Sequence, residues 1–438
     1  MRALFALLLF VLAAAPAGAA GPKIERVTSP GGIEAWFVRD NSLPLLALQF
    51  AWRGGSAADP AGKEGRAAMT ADMLVHGAGT RDQQEFAAAL EDRSIGLGFS
   101  AGADTLQGSL RVLSRDKEFG AGLLADALTK PRFEPAQVER IRQSILAALA
   151  RDETSPESIA RRTFARAAFG EHPYAKPSRG TPESIKAMGE ADLRAGLAAG
   201  YARDNLLVTA VGDSNPEELG ALIDRAFGGL PAKAAVPPVP AARFGGAGRT
   251  IVVERPGSQT NVLVGAPGIS RDDPDLFAAS IVNYILGGGG FNSRLMLSVR
   301  EREGLTYGIG TGLAIFDHAN LVQGSWSSEN RVVGRALGLV RAELARMGAD
   351  GPTAEELQGA KDYLLGSFAL QFDGVGGIAR LLLNARLDGR GTGWFDERET
   401  RIRAVTLADA RRVAARLFAG PELLVVAVGK PEGIRPSD

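Results

Sequence analysis

Apolar and polar positions follow the same order twice along the chain. The segments ADLRAGLAAGYARDNLLVTAVGD from Ala191 and ADARRVAARLFAGPELLVVAVGK from Ala408 align without a gap, at an offset of 217 residues (408 − 191). In each copy, apolar residues at helical spacing lead to an apolar run that ends at a glycine, Gly212 or Gly429. This pattern predicts an amphipathic helix followed by a buried strand. The ungapped match indicates an internal duplication.

Earlier segments of the two halves correspond more loosely. Each half has a strand pattern, ALQFAWRGGS or NVLVGAPGIS, followed by a helix predicted over residues 65–75 or 274–286. Two alternating segments and then two helices follow in both halves, and Thr353 with Glu356 forms a capping box for one of these helices. Strands followed by several helices predict an α+β fold of two homologous domains, each a mainly antiparallel sheet with helices packed on one face.

A proline- and glycine-rich stretch separates the two halves. It reads PAKAAVPPVPAARFGGAG over residues 231–248 and has no apolar period, which is typical of a linker. We therefore place an N-terminal domain at residues 24–230 and a homologous C-terminal domain at residues 249–434.

The N-terminus has the pattern of a secretory signal. In MRALFALLLFVLAAAPAGAAGPK, one arginine precedes an apolar run, and small residues follow it. The run is short for a membrane span, so we predict a signal peptide over residues 1–20, with a retained anchor as the alternative. An exported, periplasmic protein with no membrane span after signal removal is expected.

The composition narrows the classes of function. The 438 residues contain no cysteine, which excludes disulfides and thiol chemistry. Lys plus Arg and Asp plus Glu both number 50, which argues against nucleic acid as a partner. Only three histidines, His76, His172 and His318, are available as metal ligands. We interpret the last two as loop or turn residues.

Two glycine-containing motifs lie in the wrong context for the chemistry they suggest. Ser100 in GFSAG would need a strand–turn–helix context to be a hydrolase nucleophile, but another alternating segment follows it. GGGGF follows a predicted helix, whereas a phosphate loop follows a strand and opens a helix. We interpret its glycines as a mobile turn or hinge, formed by Gly287, Gly288, Gly289 and Gly290.

The segment EGRAAMTADMLVHGAG, residues 64–79, raises the question of a metal site. Ala68, Ala71 and Asp72 share one face of its predicted helix, and His76 follows one turn later. A catalytic zinc site needs three protein ligands. We therefore interpret Asp72 and His76 as a surface or capping pair. The alternative is an unusual metallopeptidase that uses both of them with an unidentified acid.

The segment SRLMLSVREREGLTYGIG combines a cation with a phenol. Arg300 lies in the last turn of a predicted helix, Gly304 can supply a left-handed C-cap, and Tyr307 is predicted to enter the next strand. One interpretation is structural: a cation at a helix C-terminus and a half-buried strand tyrosine. The other is functional, because the two groups could hold a peptide carbonyl and stabilise an oxyanion.

Nearly the whole chain after its first thirty residues resembles the inverzincins, the pitrilysin, insulinase and mitochondrial processing peptidase group. GSAADPAGKEGRAAMTADML is similar to the family segment that carries the H-x-x-E-H zinc box. Matched residue by residue, the two zinc histidines fall at Ala68 and Asp72, and the general base falls at Ala71. The distal glutamate ligand falls near Ala147 or Ala148. The resemblance therefore implies a helix that has been kept and a zinc site that has been lost.

The second half keeps a family signature. GGGGFNSRLMLSVREREGLTY is similar to the glycine-rich turn, the S-R-L helix and the R-x6-Y pair of the family. The resemblance implies that Arg300 and Tyr307 reach into a chamber and position the substrate. It also implies half of a clamshell, which a homologous subunit with an HxxEH box completes.

We therefore expect no cofactor in this chain, zinc in the partner subunit and a peptide as substrate. The predicted function is that of a substrate-positioning subunit, inactive alone, of a heterodimeric periplasmic zinc metalloendopeptidase that degrades peptides. The alternative is a proteolysis-free peptide-binding or scaffold protein of the same fold, including a homodimer.

Overall fold

A computed structural model describes residues 23–420 and 422–437. The predicted signal peptide, residues 1–20, lies outside the described residues. Within them, no helix is both long enough and apolar enough to cross a membrane.

The first half of the chain forms one six-stranded sheet. Its strands are β1 (Glu25–Thr28), β2 (Glu34–Arg39), β3 (Leu45–Arg53), β4 (Gly96–Ala101), β5 (Thr105–Leu113) and β6 (Leu206–Gly212). Its helices are α1 (Arg66–Met73), α2 (Gln83–Glu91), α3 (Lys117–Thr129), α4 (Pro135–Thr154), α5 (Pro156–Phe169), α6 (Pro182–Lys186), α7 (Glu190–Gly200) and α8 (Pro216–Phe227). The strand order is β1-β2-β6-β3-β5-β4, and only the β2–β6 pair is parallel.

The second half repeats this topology without a counterpart of β1. Its strands are β7 (Thr250–Glu254), β8 (Gln259–Pro267), β9 (Ile309–Ile315), β10 (Asn320–Glu329) and β11 (Leu424–Gly429). Its helices are α9 (Leu276–Asn283), α10 (Val333–Asp350), α11 (Ala354–Gly366), α12 (Val375–Leu387), α13 (Trp394–Ala404) and α14 (Leu407–Phe418). The order β7-β11-β8-β10-β9 matches β2-β6-β3-β5-β4, again with one parallel pair, β7–β11.

The predicted repeat corresponds to the units α7–β6 and α14–β11. Both strands end at the matched glycines, Gly212 with φ of +137° and Gly429 with φ of +153°. A Cβ atom there would meet the Leu45 carbonyl or the Thr260 hydroxyl of the neighbouring strand. Only glycine adopts such a positive φ at low cost and also has no Cβ atom to collide with the neighbouring strand. The predicted α+β fold of two homologous sheets with packed helices is confirmed.

Each sheet also carries one helix from the opposite half on its other face, which the chain order did not predict. Helix α5 packs on β11 and β8, and helix α12 packs on β6 and β3. Phe164 of α5, which is 2% exposed, lies over Gly265 of β8, where a Cβ atom would collide with its ring. On the other side, the Thr209 hydroxyl donates to the Ala379 carbonyl of α12 at 2.7 Å. Helices α5 and α12 are thus exchanged between the halves, and this exchange joins the two hydrophobic cores.

Polar groups add to this junction at the β4–β5 and β9–β10 hairpins. The Asp317 carboxylate accepts hydrogen bonds from Arg53 at 3.0 Å and from Arg271 at 2.7 Å. Asp104 accepts from the Tyr174 hydroxyl at 2.5 Å and from the backbone N–H of Asp317 at 3.0 Å. These bonds hold the two hairpins against each other.

Residues 231–248 have neither helix nor strand, as expected for a linker. They are nonetheless hydrogen-bonded to both halves. Ala235 N–H donates to the Ala199 carbonyl, and Ala242 N–H donates to the His318 carbonyl. The segment is therefore a strap bound along the surface, not a free tether.

Candidate functional site

Helix α1 carries the positions that match the zinc box. It spans Arg66–Met73, shorter than the predicted 65–75, because Gly65 has φ of +90° and lies outside the helix. Ala71 is buried, Ala68 is half-buried and Asp72 is exposed. The helix therefore packs its apolar side into the first core and presents Ala68 and Asp72 toward the outside.

These residues do not fit a zinc ion. Alanine has no ligand atom, which leaves Asp72 as the one donor on this face of the helix. Helix α4 packs against α1, but the positions expected for the distal ligand are alanines, Ala147 and Ala148. In the part of the chain that the structure describes, no three His, Cys, Asp or Glu residues are grouped so as to hold a metal.

Asp72 and His76 are tied to different neighbours. Although Asp72 is exposed, the protein around its carboxylate partly desolvates it and raises its pKa, and the positive charge of Arg179 partly offsets this. Burial and the nearby Arg140 guanidinium lower the pKa of His76, and Arg140 Nη2 lies 3.2 Å from His76 Nδ1. A guanidinium at this ring nitrogen competes with any metal there. Within the described residues, no ion pair within 4.0 Å joins Asp72 to His76, and their role as a surface or capping pair stays a prediction.

A buried carboxylate holds the start of α1. Asp59, whose side chain is 3% exposed, accepts hydrogen bonds at 3.0 Å from the N–H groups of Gly65 and Ala67. Burial raises its pKa from 3.8 to about 6 and outweighs these bonds and the charge of Arg66. The sequence showed no sign of this cap, because Asp59 lies seven residues before the helix.

We expect this carboxylate to make the stability of the chain pH-dependent. The folded state binds the Asp59 proton more tightly than the unfolded state does, and this tighter binding adds to the free energy of unfolding. The added free energy is fully present below about pH 4 and is lost as pH rises through about 6. The difference amounts to roughly 3 kcal/mol. Urea titrations of wild type and Asp59→Asn across this range measure it. The wild type should lose stability relative to the variant as pH rises. A difference that stays constant with pH would contradict the assignment.

Arg300 lies in a π-helical segment, Met296–Glu301. Its Nη1 donates to Glu301 at 2.7 Å, and its guanidinium carbon lies 4.6 Å from the centre of the Phe291 ring. Phe291 is 63% exposed. Cation–π contact restricts the guanidinium without using all of its N–H donors. Sequence reasoning singled out Arg300 but missed Phe291, which belongs to the GGGGF motif.

The four glycines form the turn between two π-helical segments. Gly287 and Gly288 end the first, Tyr284–Gly288, and Gly289 and Gly290 lead into a 3-10 turn. A Cβ atom on Gly287 would lie 2.5 Å from the Thr311 hydroxyl of β9, and Gly290 has φ of +58°. Close packing against β9 and a left-handed turn thus explain two of the glycines. A hinge at this turn remains a prediction.

Tyr307 is placed differently from the prediction. The sequence predicts that it enters a strand, but β9 begins at Ile309 and Tyr307 lies in the preceding loop, 89% exposed, so the structural interpretation as a half-buried strand tyrosine is wrong. The Thr306 hydroxyl donates to the Ser327 carbonyl of β10 at 2.8 Å and accepts from Gly308 N–H at 3.2 Å. Thr306 is therefore buried, and Tyr307 points outward. The predicted left-handed cap is confirmed, since Gly304 has φ of +63°.

A partly buried arginine that sequence reasoning missed, Arg294, supports this region. Arg294 donates two 2.7 Å hydrogen bonds to the carboxylate of Glu356, which also accepts from Thr353 N–H at 2.8 Å. The predicted capping box of α11 is thus confirmed. The same glutamate fixes the segment that leads to Arg300. Bidentate pairing of this kind is geometrically specific.

The remaining motifs are structural. Ser100 lies in edge strand β4, followed by a turn and β5, so the nucleophile-elbow geometry is excluded. His172 accepts from Tyr174 N–H at 3.1 Å, and its other ring nitrogen lies 2.8 Å from the Pro240 carbonyl. His318 lies in the β9–β10 hairpin. Both histidines are loop or turn residues, as predicted.

These features define a metallopeptidase-like half-clamshell: two repeated α+β sheets, a helix with one carboxylate and two alanines at the predicted zinc-box positions, and an arginine and tyrosine at the surface. The family model described as "Insulinase (Peptidase family M16)" matches residues 46–182. The model described as "Peptidase M16 inactive domain" matches residues 189–364. Together they cover more than half of the chain, which belongs to peptidase family M16.

Individual relatives agree with this placement. A crystal structure of a peptidase M16 inactive domain from Pseudomonas fluorescens is similar with a TM-score of 0.88 and 28% identity, over 94% of this chain and 100% of that one. A non-peptidase homolog, YmxG of Helicobacter pylori, is 27% identical over 76% of this chain and 77% of its own length. An uncharacterized zinc protease of Mycobacterium leprae is 28% identical over 79% of this chain and 78% of its own length. The chain is an inactive member of the family.

Proposed function

We propose that this chain is the substrate-positioning subunit of a heterodimeric periplasmic metalloendopeptidase that degrades peptides. One observation carries the proposal. Two of the three predicted zinc-box positions on α1 are alanines, which cannot bind the metal, whereas the second half presents Tyr307 to solvent and holds the Arg300 guanidinium over the Phe291 ring.

The exposure of Tyr307 results from a specific arrangement. Leu305 and Thr306 before it are each 8% exposed, Ile309 after it is 7% exposed, and the Thr306 hydroxyl bonds to β10. The loop is therefore anchored on both sides of an outward phenol. A phenol O–H and guanidinium N–H groups are donors that can bind peptide carbonyls and stabilise developing negative charge on oxygen. The arrangement fits orientation of a substrate that lies outside this chain's own core.

A peptide can also pair with an open sheet edge. Among the described strands, β4 is bonded only to β5, so its other side offers unpaired backbone groups. Addition of an extended peptide to such an edge uses main-chain hydrogen bonds and tolerates many sequences. We propose β4 as the edge on which the substrate lies.

The metal belongs to the partner in this proposal. A homologous subunit with an HxxEH box would hold zinc, which supplies Lewis-acid chemistry and an activated water when bound. This chain contributes the hydrogen-bond donors of Arg300 and Tyr307 and the edge strand β4. Export to the periplasm rests on the apolar N-terminal run that precedes the described residues.

Reconstitution tests the proposal. The chain and the HxxEH homologue that co-purifies with it from the periplasm are assayed for cleavage of a labelled peptide, separately and mixed. We expect cleavage in the mixture and little by either chain alone. A chain that elutes as a stable homodimer and adds no activity to any HxxEH homologue would instead support the proteolysis-free scaffold.

A further inference from the structure

An open groove lies beside the zinc-box helix, outside the Arg300 region. Its walls are the end of α4, the outer face of α5 and the segment 175–183, and its volume is about 640 Å³. That volume lies within the range of roughly 300–1,000 Å³ in which ligand sites fall.

Helix α5 has two faces with different roles. Ile159 and Phe164 are buried against the second sheet. The groove is lined from this helix by residues that recur at helical spacing and so share the opposite face: Ser158, Arg161, Arg162, Ala165 and Arg166. The helix that joins the two halves therefore also presents three arginines to the groove.

The opposite wall is anchored to the start of α1. The Ser184 hydroxyl donates to the Glu64 carbonyl at 2.7 Å, and a Cβ atom on Gly65 would lie 2.6 Å from the Arg179 carbonyl. This wall contributes two more cations, Lys176 and Arg179. Because Gly65 immediately precedes α1, the groove opens next to the helix that bears Asp72.

The charges in the groove are unbalanced. Its lining includes five cations and three carboxylates, Asp152, Glu153 and Glu183. Arg161 is paired with Glu157, and Lys176 lies 3.9 Å from Glu171; neither glutamate is part of the lining. Within residues 23–420 and 422–437, no ion pair within 4.0 Å involves Arg162, Arg166 or Arg179. Arg162 donates to the Asp152 carbonyl at 3.2 Å, and Arg179 acts on Asp72 through its charge alone. A site with excess, unpaired guanidinium groups attracts carboxylates, which guanidinium binds bidentately.

We propose that this groove binds an acidic segment of the peptide substrate. The inference rests on the proposed function and deepens it, because it assigns a charge preference to the substrate. The Arg300 and Tyr307 groups would act near the cleaved bond, while the groove would hold glutamate or aspartate side chains elsewhere along the same peptide.

Binding to the chain alone tests this inference without any turnover. Fluorescence anisotropy is measured with a labelled peptide of alternating glutamate and glycine, and with matched glutamine and lysine peptides. We expect the glutamate peptide to bind tightest, and its affinity to fall as salt rises. The double variant Arg162→Glu/Arg166→Glu should weaken this binding by about tenfold or more. Both residues are exposed, so the fold should survive, as circular dichroism can verify.

The matched control is Arg341→Glu, an exposed arginine on α10 that does not line the groove. It should leave the affinity within about twofold. Equal binding of the glutamate and glutamine peptides, or an equal loss in the control variant, would overturn the inference. The two proposals fail separately: selective binding without partner-dependent cleavage would refute only the subunit role, and cleavage without acidic selectivity would refute only the groove.

Discussion

Replacing Tyr307 by phenylalanine, or Arg300 by alanine, is expected to lower turnover by the reconstituted complex about a hundredfold. Phenylalanine keeps the ring and removes the O–H donor of a side chain that is 89% exposed. Alanine removes the guanidinium that lies over Phe291. Donors that meet charge as it develops on the substrate affect kcat more than KM. Steady-state cleavage of a labelled peptide by wild-type and variant complexes provides both constants.

Arg302→Ala is the matched control for this experiment. Arg302 is an exposed arginine two residues beyond Arg300 and forms no ion pair within the described residues. It should leave both constants within about twofold. Co-elution with the partner should be intact in all three variants, because the altered side chains lie at the surface. Unchanged kcat in both the Tyr307 and the Arg300 variants would remove the positioning role.

Truncation of Phe164 to alanine is expected to cost about 3–5 kcal/mol of unfolding free energy. Its ring is buried between α5 and the second sheet, over Gly265, so the substitution opens a cavity at the junction of the two halves. Leu382→Ala on α12 should act similarly on the first sheet, at about 2–5 kcal/mol, since Leu382 is fully buried. Urea unfolding followed by circular dichroism measures both losses.

Arg161→Ala, on the exposed side of the same helix, should change stability by no more than about 0.5 kcal/mol. Because the helices are exchanged, loss of either one should weaken both sheets together. A Phe164 variant in which the first half kept its full stability while the second unfolded separately would show that the exchange does not couple the cores.

Local and repeated features of this protein were readable from the chain. The duplication, the α+β class and the capping box of Thr353 with Glu356 depend on periodicity and on neighbours a few residues apart, which the sequence displays directly. The lack of ligand atoms at Ala68 and Ala71, two of the predicted zinc-box positions, follows from the sequence as well, because alanine has no ligand atom whatever the fold around it.

Features that join distant segments were decided by the tertiary structure. The sequence by itself determined two matched halves, a zinc-box helix without ligands and the presence of Arg300 and Tyr307. Only the folded chain decided that α5 and α12 cross to the opposite sheets and that Thr306 turns Tyr307 outward. A helical pattern shows which face is apolar but not which partner will cover it, and burial depends on contacts between residues far apart in the chain.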